Sequence, residues 1–220
     1  MSFFRKNMKF SVFSAVSAAF LALFVSCSTS TPEISYGFLS LVLYEGESGP
    51  AEHFSFFVMA EDEDGIENLG ELYLYHDREQ LCWKIKNDEW VSFTQDNKTW
   101  IGSRSITVQE GSLPRGIYRA VLVNKSGEKG ERLFTYDANV RHPFPKIEIN
   151  NDMYTIKSEW PVNHLVCYDK AGNYYSTVDI KALSGTVSQL NLPPAVITAA
   201  LWAEEPAYFL SAFTNVVPVR

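Results

Sequence analysis

Phe56-Phe57-Val58-Met59-Ala60 runs into Glu61-Asp62-Glu63-Asp64-Gly65, and Ile66-Glu67-Asn68-Leu69 leads out again. Aromatic and β-branched residues favour the pleated surface of a sheet, whereas Asp and Gly break it. The stretch therefore predicts a strand, a tight turn and a second strand. The same grammar recurs to the C-terminus. After residue 32 no segment holds a helical apolar period for three turns, and short runs rich in Val, Ile, Tyr, Phe, Trp and Thr alternate with Gly, Asn, Asp and Pro. That spacing predicts an all-β chain.

The expected strands are Ile34–Tyr44, Phe54–Ala60, Glu71–His76, Gln80–Lys86, Trp90–Thr94, Ser105–Gln109, Ile117–Asn124 and Glu131–Tyr136. A second series comprises Lys146–Ile149, Tyr154–Ser158, His164–Tyr168, Tyr174–Ile180, Thr186–Leu190, Val196–Trp202 and Tyr208–Val216. Between the series, Asp137–Pro145 carries Pro143 and Pro145 among polar neighbours and predicts an extended connector. The expected boundary lies near residue 142, with one β-sandwich module over 33–141 and a second over 142–220.

Two stretches carry a resemblance. In one, the Phe56–Leu69 strand enters its Asp- and Gly-rich turn. In the other, Leu113-Pro114-Arg115-Gly116-Ile117-Tyr118 opens a strand that a turn at Gly127 closes. Both resemble the immunoglobulin-like domains of bacterial surface and envelope proteins. The resemblance implies two tandem immunoglobulin-like β-sandwich modules, with Tyr118 as a corner tyrosine bonding back to the backbone. Val166–Asn173 gives the second module a similar strand-turn-strand signal. The paired cysteines and core tryptophan of antibody domains are absent.

The N-terminus reads differently. Arg5, Lys6 and Lys9 precede an apolar stretch, Phe10–Ser26, which is diluted by Ser11, Ser14 and Ser17. A basic start, an apolar core and small residues make a secretory signal peptide, here residues 1–26, and the stretch is short for a permanent span. It ends Leu23-Phe24-Val25-Ser26-Cys27, which resembles a bacterial lipobox with Phe24 where the pattern places Leu. The resemblance implies cleavage before Cys27 and a lipid anchor on that cysteine, with two or three acyl chains of the palmitate type. One chain alone would hold the protein only reversibly. Residues 27–32 then form a tether, whose Ser28–Pro32 segment spans under roughly 20 Å. The folded part is expected close to the membrane of the cell envelope, facing either the periplasm or the outside.

Charge narrows the partners. The chain carries 19 Lys and Arg against 26 Asp and Glu, a net charge of −7, and three of those cations lie in the leader. Binding nucleic acid requires neutralising phosphates, and no basic cluster is present to do so. Acidic surfaces are likewise repelled by anionic headgroups, which leaves membrane attachment to the acyl chains.

No catalytic constellation emerges. His53, His76, His142 and His164 have no metal-ligand spacing, neither Cys82 nor Cys167 has a Cys-x-x-Cys partner, and there is no Gly-x-Ser-x-Gly elbow or phosphate loop. The acidic turn fits a calcium loop poorly: with Gly65 at the sixth position, Asp62, Asp64 and Glu71 fall correctly, but Ala60 takes the first. A solvated turn is the simpler reading, with a non-EF calcium site as the alternative. Cys82 and Cys167 read as independent thiols, or as a bridge between modules, and sequence leaves both open. The expectation is a non-catalytic binding module for a protein partner, without cofactor or metal. The alternative is a carbohydrate-binding module using Trp83, Trp90, Trp100, Trp160 or Trp202. Leu81, Trp83 and Ile85 share one face and read as core.

Overall fold

A computed structural model describes residues 30–47, 49–139 and 141–220. The leader and Cys27 lie outside the described residues. The remainder is all-β, arranged in several sheets in the manner of a β-sandwich.

The first half holds β1 (Glu33–Tyr44), β2 (Ala51–Glu61), β3 (Leu69–His76), β4 (Leu81–Lys86), β5 (Val91–Gln95), β6 (Lys98–Ile106), β7 (Gly116–Asn124) and β8 (Lys129–Tyr136). The second half holds β9 (Lys146–Asn150), β10 (Met153–Lys157), β11 (Val162–Tyr168), β12 (Tyr174–Asp179), β13 (Ser184–Thr186), β14 (Thr198–Glu205), β15 (Leu210–Phe213) and β16 (Val217–Pro218).

Alternation builds the first core. On β2, Phe54, Phe56, Val58 and Ala60 point inward and are buried, as are Leu39 and Leu41 on β1. The layer facing them is the sheet β4-β3-β7-β8, which contributes Leu72, Leu74, Ile85, Tyr118, Ala120 and Leu122. Phe54 meets the rings of Tyr118 and Tyr136 edge-on, and Phe56 meets Phe134. A second cluster joins Ile147, Tyr154 and Ile156 of the β13-β10-β9 sheet to Leu165, Cys167, Ala199 and Leu201.

One sheet runs through both halves in the order β12-β11-β14-β15-β1-β2-β6-β5. The seam is a parallel pairing of β1 with β15, Leu41 opposite Leu210 and Tyr44 opposite Phe213. Thr31–Arg220 consequently forms one compact unit. The connector is extended but packed: Ala138 and Phe144 lie against the first core, and buried Trp160 donates its indole N–H to Pro143 O at 2.9 Å. The tandem reading expected a connector between successive modules; here Trp160, Ala203, Leu210 and Ala212 from the second half enter the first core.

Three strands differ from expectation. Ser105–Gln109 was expected as a strand, yet β6 runs Lys98–Ile106 with Gly102 inside it. A Cβ at Gly102 would stand 2.0 Å from Phe56 O, so this glycine marks close approach of two backbones, not a break. At Thr186–Leu190, a 3-10 turn replaces the strand after Thr186. Gln189 Oε1 accepts from Thr186 N at 2.8 Å, a capping pattern legible as Thr-x-x-Gln. At Tyr208–Val216 only Leu210–Phe213 is strand, because Pro206 opens a 3-10 turn.

Candidate functional site

The outer face of β1, β2, β6 and β5 carries the most distinctive surface. Residues alternate across a strand, so with Phe56 and Val58 inward, Phe57 and Met59 face out. Register then assembles a row: Tyr36 stands opposite Met59, Met59 opposite Trp100, and Trp100 opposite Phe93. Phe38 completes it, 5.7 Å from Trp100 and 5.8 Å from Phe57 by ring centroids. Tyr36 is 55% exposed and Phe93 36%, while Phe57, against Phe38 and Phe93, is 3% exposed. Among the described strands, none pairs with the free edge of β5.

The rings lean on one another. Phe93 and Trp100 are stacked at 2° and 6.1 Å, Tyr36 meets Trp100 at 82°, and Phe57 meets Phe93 at 62°. Sugar platforms align ring faces toward a ligand; here the rings meet at angles from 2° to 82°, and what is offered outward is a mixed apolar surface. Such contiguous exposed apolar area marks interaction sites.

The tryptophans divide otherwise. Trp160 is buried; Trp83 and Trp90 pack against the first core, and Trp83 donates to Thr107 O at 2.7 Å. Trp202 lies half-buried beside the His164 ring, 5.2 Å away. Of the five, Trp100 alone belongs to the aromatic row.

The acidic turn is built from within. Asp62 accepts from Asp64 N at 2.9 Å and from the amides of Asn68 and Asn124 at 3.3 Å, while Gly65 takes φ 95°. These bonds tie the turn to the β7–β8 hairpin, where Asn124 Oδ1 accepts from Ser126 and Glu128. The carboxylate most central to a calcium reading is thereby committed to the turn. No group of three His, Cys, Asp or Glu able to hold a metal occurs among the described residues.

Tyr118 makes the corner. It is fully buried and donates its hydroxyl to Pro114 O at 2.6 Å. Beside it Glu52 grips Arg115 through two bonds of 3.0 and 3.2 Å and accepts from Leu113 N at 2.8 Å. Burial, against the opposing charge of Arg115, raises the Tyr118 phenol well above the usual range and pushes Tyr136 up to about 12. The Tyr136 hydroxyl has no hydrogen-bond partner among the described residues.

The histidines are used structurally. His76 is buried and accepts from Glu79 N through Nδ1 at 3.3 Å. His142 Nε2 lies 3.2 Å from Glu205 and its ring 5.0 Å from Trp160, fastening the connector. His164 bridges strands, with Nδ1 2.9 Å from Asp179 and Nε2 3.2 Å from Glu204. None of the four lines the groove of about 800 Å³ between Arg78, Cys82, Trp83, Val108 and Arg115. Cys82 and Cys167 are separate free thiols, the first exposed and the second buried, where burial raises its pKa.

No family model matches the chain, and no curated protein matches it in sequence. Among solved structures it is similar to Tp47, the 47-kilodalton lipoprotein of Treponema pallidum, at 12% identity and TM-score 0.38, over 84% of this chain and 50% of that one. It is similar to dimeric latent PorU of Porphyromonas gingivalis at 14% and 0.32, over 86% and 20%. Murine CEACAM1b matches at 8% and 0.26, over 83% and 99%. The chain thus spans half the length of Tp47 and a fifth of PorU, and at such TM-scores these likenesses bear on neither activity nor partner.

Proposed function

We propose that this chain is a lipid-anchored protein of the bacterial envelope whose β-structure serves as a non-catalytic binding module for a protein partner. The observation that carries the reading is the aromatic row of Tyr36, Phe38, Trp100 and Phe93, exposed at Tyr36 and Phe93, on a sheet face that no other layer covers among the described residues. Aromatic residues supply large contact area at low conformational cost, which is why interfaces favour them. The anchor is Cys27, and β1 begins at Glu33, so a short tether joins lipid to the strand that carries Tyr36. In this reading the chain is two immunoglobulin-like halves, 33–141 and 142–220, sharing one sheet. The corner bond of Tyr118 supports that view of the first half.

The test is photo-crosslinking in living cells with benzoylphenylalanine at Tyr36, and at Tyr174 on the far edge as control. A discrete adduct from position 36 and none from 174 is expected. Equal, diffuse labelling from both would overturn the surface assignment. A Cys27→Ala chain that fractionates with membrane as before would overturn the anchor. Glycan retention that drops on Trp100→Ala would favour the carbohydrate alternative, against the ring geometry.

A further inference from the structure

An exposed sheet edge is a template for another strand, and native chains blunt their edges with charge, proline, bulges or brevity. The described edges of this chain follow that rule, except for one. β4 carries Lys84 and Lys86; β8 carries Lys129, Glu131 and Arg132; β9 carries Lys146 and Glu148. β13 has three residues, and β12 is bulged opposite Cys167 and Tyr168. β5 reads Val91-Ser92-Phe93-Thr94-Gln95: five exposed residues without charge, proline or register shift against β6. It is also the strand that ends the aromatic row.

We infer that the β5 edge accepts an extended segment of a partner protein by strand addition, uncharged over about five residues and basic at both ends. Backbone pairing would provide affinity, and alternate side chains of the added strand would continue the row beyond Phe93. The ends follow from charge. Asp88 and Glu89 precede β5 and Asp96 follows it, all exposed. Lys86 is engaged with Glu89 at 3.5 Å and Lys98 with Glu61 at 2.8 Å, which leaves Asp88 and Asp96, one beyond each end of β5, as carboxylates without an ion pair among the described residues. The same charges argue against a second copy. In an antiparallel pair centred on Phe93, Asp96 of one copy would fall opposite Trp90 of the other, one residue from Glu89, at both ends, and like charges that near one another repel.

This inference rests on the protein-partner reading and names its mode. The probe is a labelled nine-residue peptide, Lys-Lys-Val-Thr-Val-Thr-Val-Lys-Lys, with a counterpart bearing Glu at the four terminal positions. Both are titrated by fluorescence anisotropy against the full chain in detergent micelles, with hydrogen exchange followed on the complex. Binding of the basic-ended peptide at least tenfold tighter is expected, with slowed exchange over Val91–Gln95. The exposed double variant Glu89→Lys/Asp96→Lys is expected to invert the preference. Equal affinities, no binding at 1 mM, or protection elsewhere than β5 would overturn the inference. So would self-association of the peptide-free chain that slows exchange on β5. A partner captured at Tyr36 without β5 protection would overturn strand addition alone and leave the binding-module reading standing.

Discussion

Phe56 and Phe57 are sequence neighbours with identical side chains on opposite faces of β2, and both are almost fully buried, at 0% and 3%. The means of burial differ. Phe56 is covered by a second sheet, through Phe134 and the Leu72–Leu122 layer. Phe57, among the described residues, meets the rings of its own sheet, Phe38 and Phe93, which are themselves partly in solvent. The inner face is therefore a core held between two layers, whereas the outer face is a surface sheltering one ring. Exposed aromatic area that stabilises little is the kind a partner can cover at small cost to the fold.

The comparison predicts a graded series. Phe56→Ala should cost about 3–5 kcal/mol in urea denaturation, by lost transfer energy and a cavity that two sheets cannot close. Phe93→Ala should cost under about 1 kcal/mol. If the two costs prove equal, the outer face is a true core and the division fails.

Next comes the corner that closes the inner layer. Glu52→Ala leaves Arg115 and Leu113 N without their shared acceptor, and should cost roughly 2 kcal/mol, below a fully buried pair because Arg115 keeps 30% of its side chain exposed. Tyr118→Phe should cost about 1–2 kcal/mol by orphaning Pro114 O, whereas Tyr136→Phe should be neutral or slightly stabilising, since it removes a hydroxyl with no hydrogen-bond partner among the described residues. Equal costs would mean that the corner bond contributes nothing beyond packing.

Both phenols are held neutral by burial, with folded pKa values above the unfolded value of about 10. Above pH ~10 the unfolded chain releases these protons and the folded chain retains them, so stability falls as pH rises. The stabilisation is present in full below pH 10 and is lost progressively toward the folded value, about 12 for Tyr136. Tyr136→Phe should flatten that decline, measurable as denaturation midpoint against pH. The smallest effect belongs to Tyr36→Ser, within about 0.5 kcal/mol of the parent in stability, while abolishing the adduct seen from a crosslinker placed at Phe38.

Much of this was legible before folding. Strands at Ile34–Tyr44, Phe54–Ala60, Ile117–Asn124 and His164–Tyr168 lie within one to three residues of β1, β2, β7 and β11, because period-two apolar runs and turn residues are local signals. The Asp62 turn was readable for the same reason, and the back-bonding of Tyr118, which also joins residues close in sequence, was implied by the resemblance. The aromatic row was not. Tyr36 and Phe38 alternate with residues that are apolar or small, and Phe93 alternates with Ser92 and Thr94 as an inward-facing residue would, so polarity did not mark the outer face. Gly102 gave no strand signal, because a glycine that admits a neighbouring backbone looks in sequence like one that turns the chain.

Local chemistry, acting over a few residues, determined which segments are strands, where they turn, that the class is all-β and that the surface is acidic. Only the tertiary structure decided that Phe56 meets a second sheet while Phe57 does not, and that Leu41 pairs with Leu210 to carry one sheet through both halves. Alternation places side chains on two faces but does not say which will be covered. That depends on pairings between distant strands, whose loop-closure entropy is offset only when many apolar contacts form together.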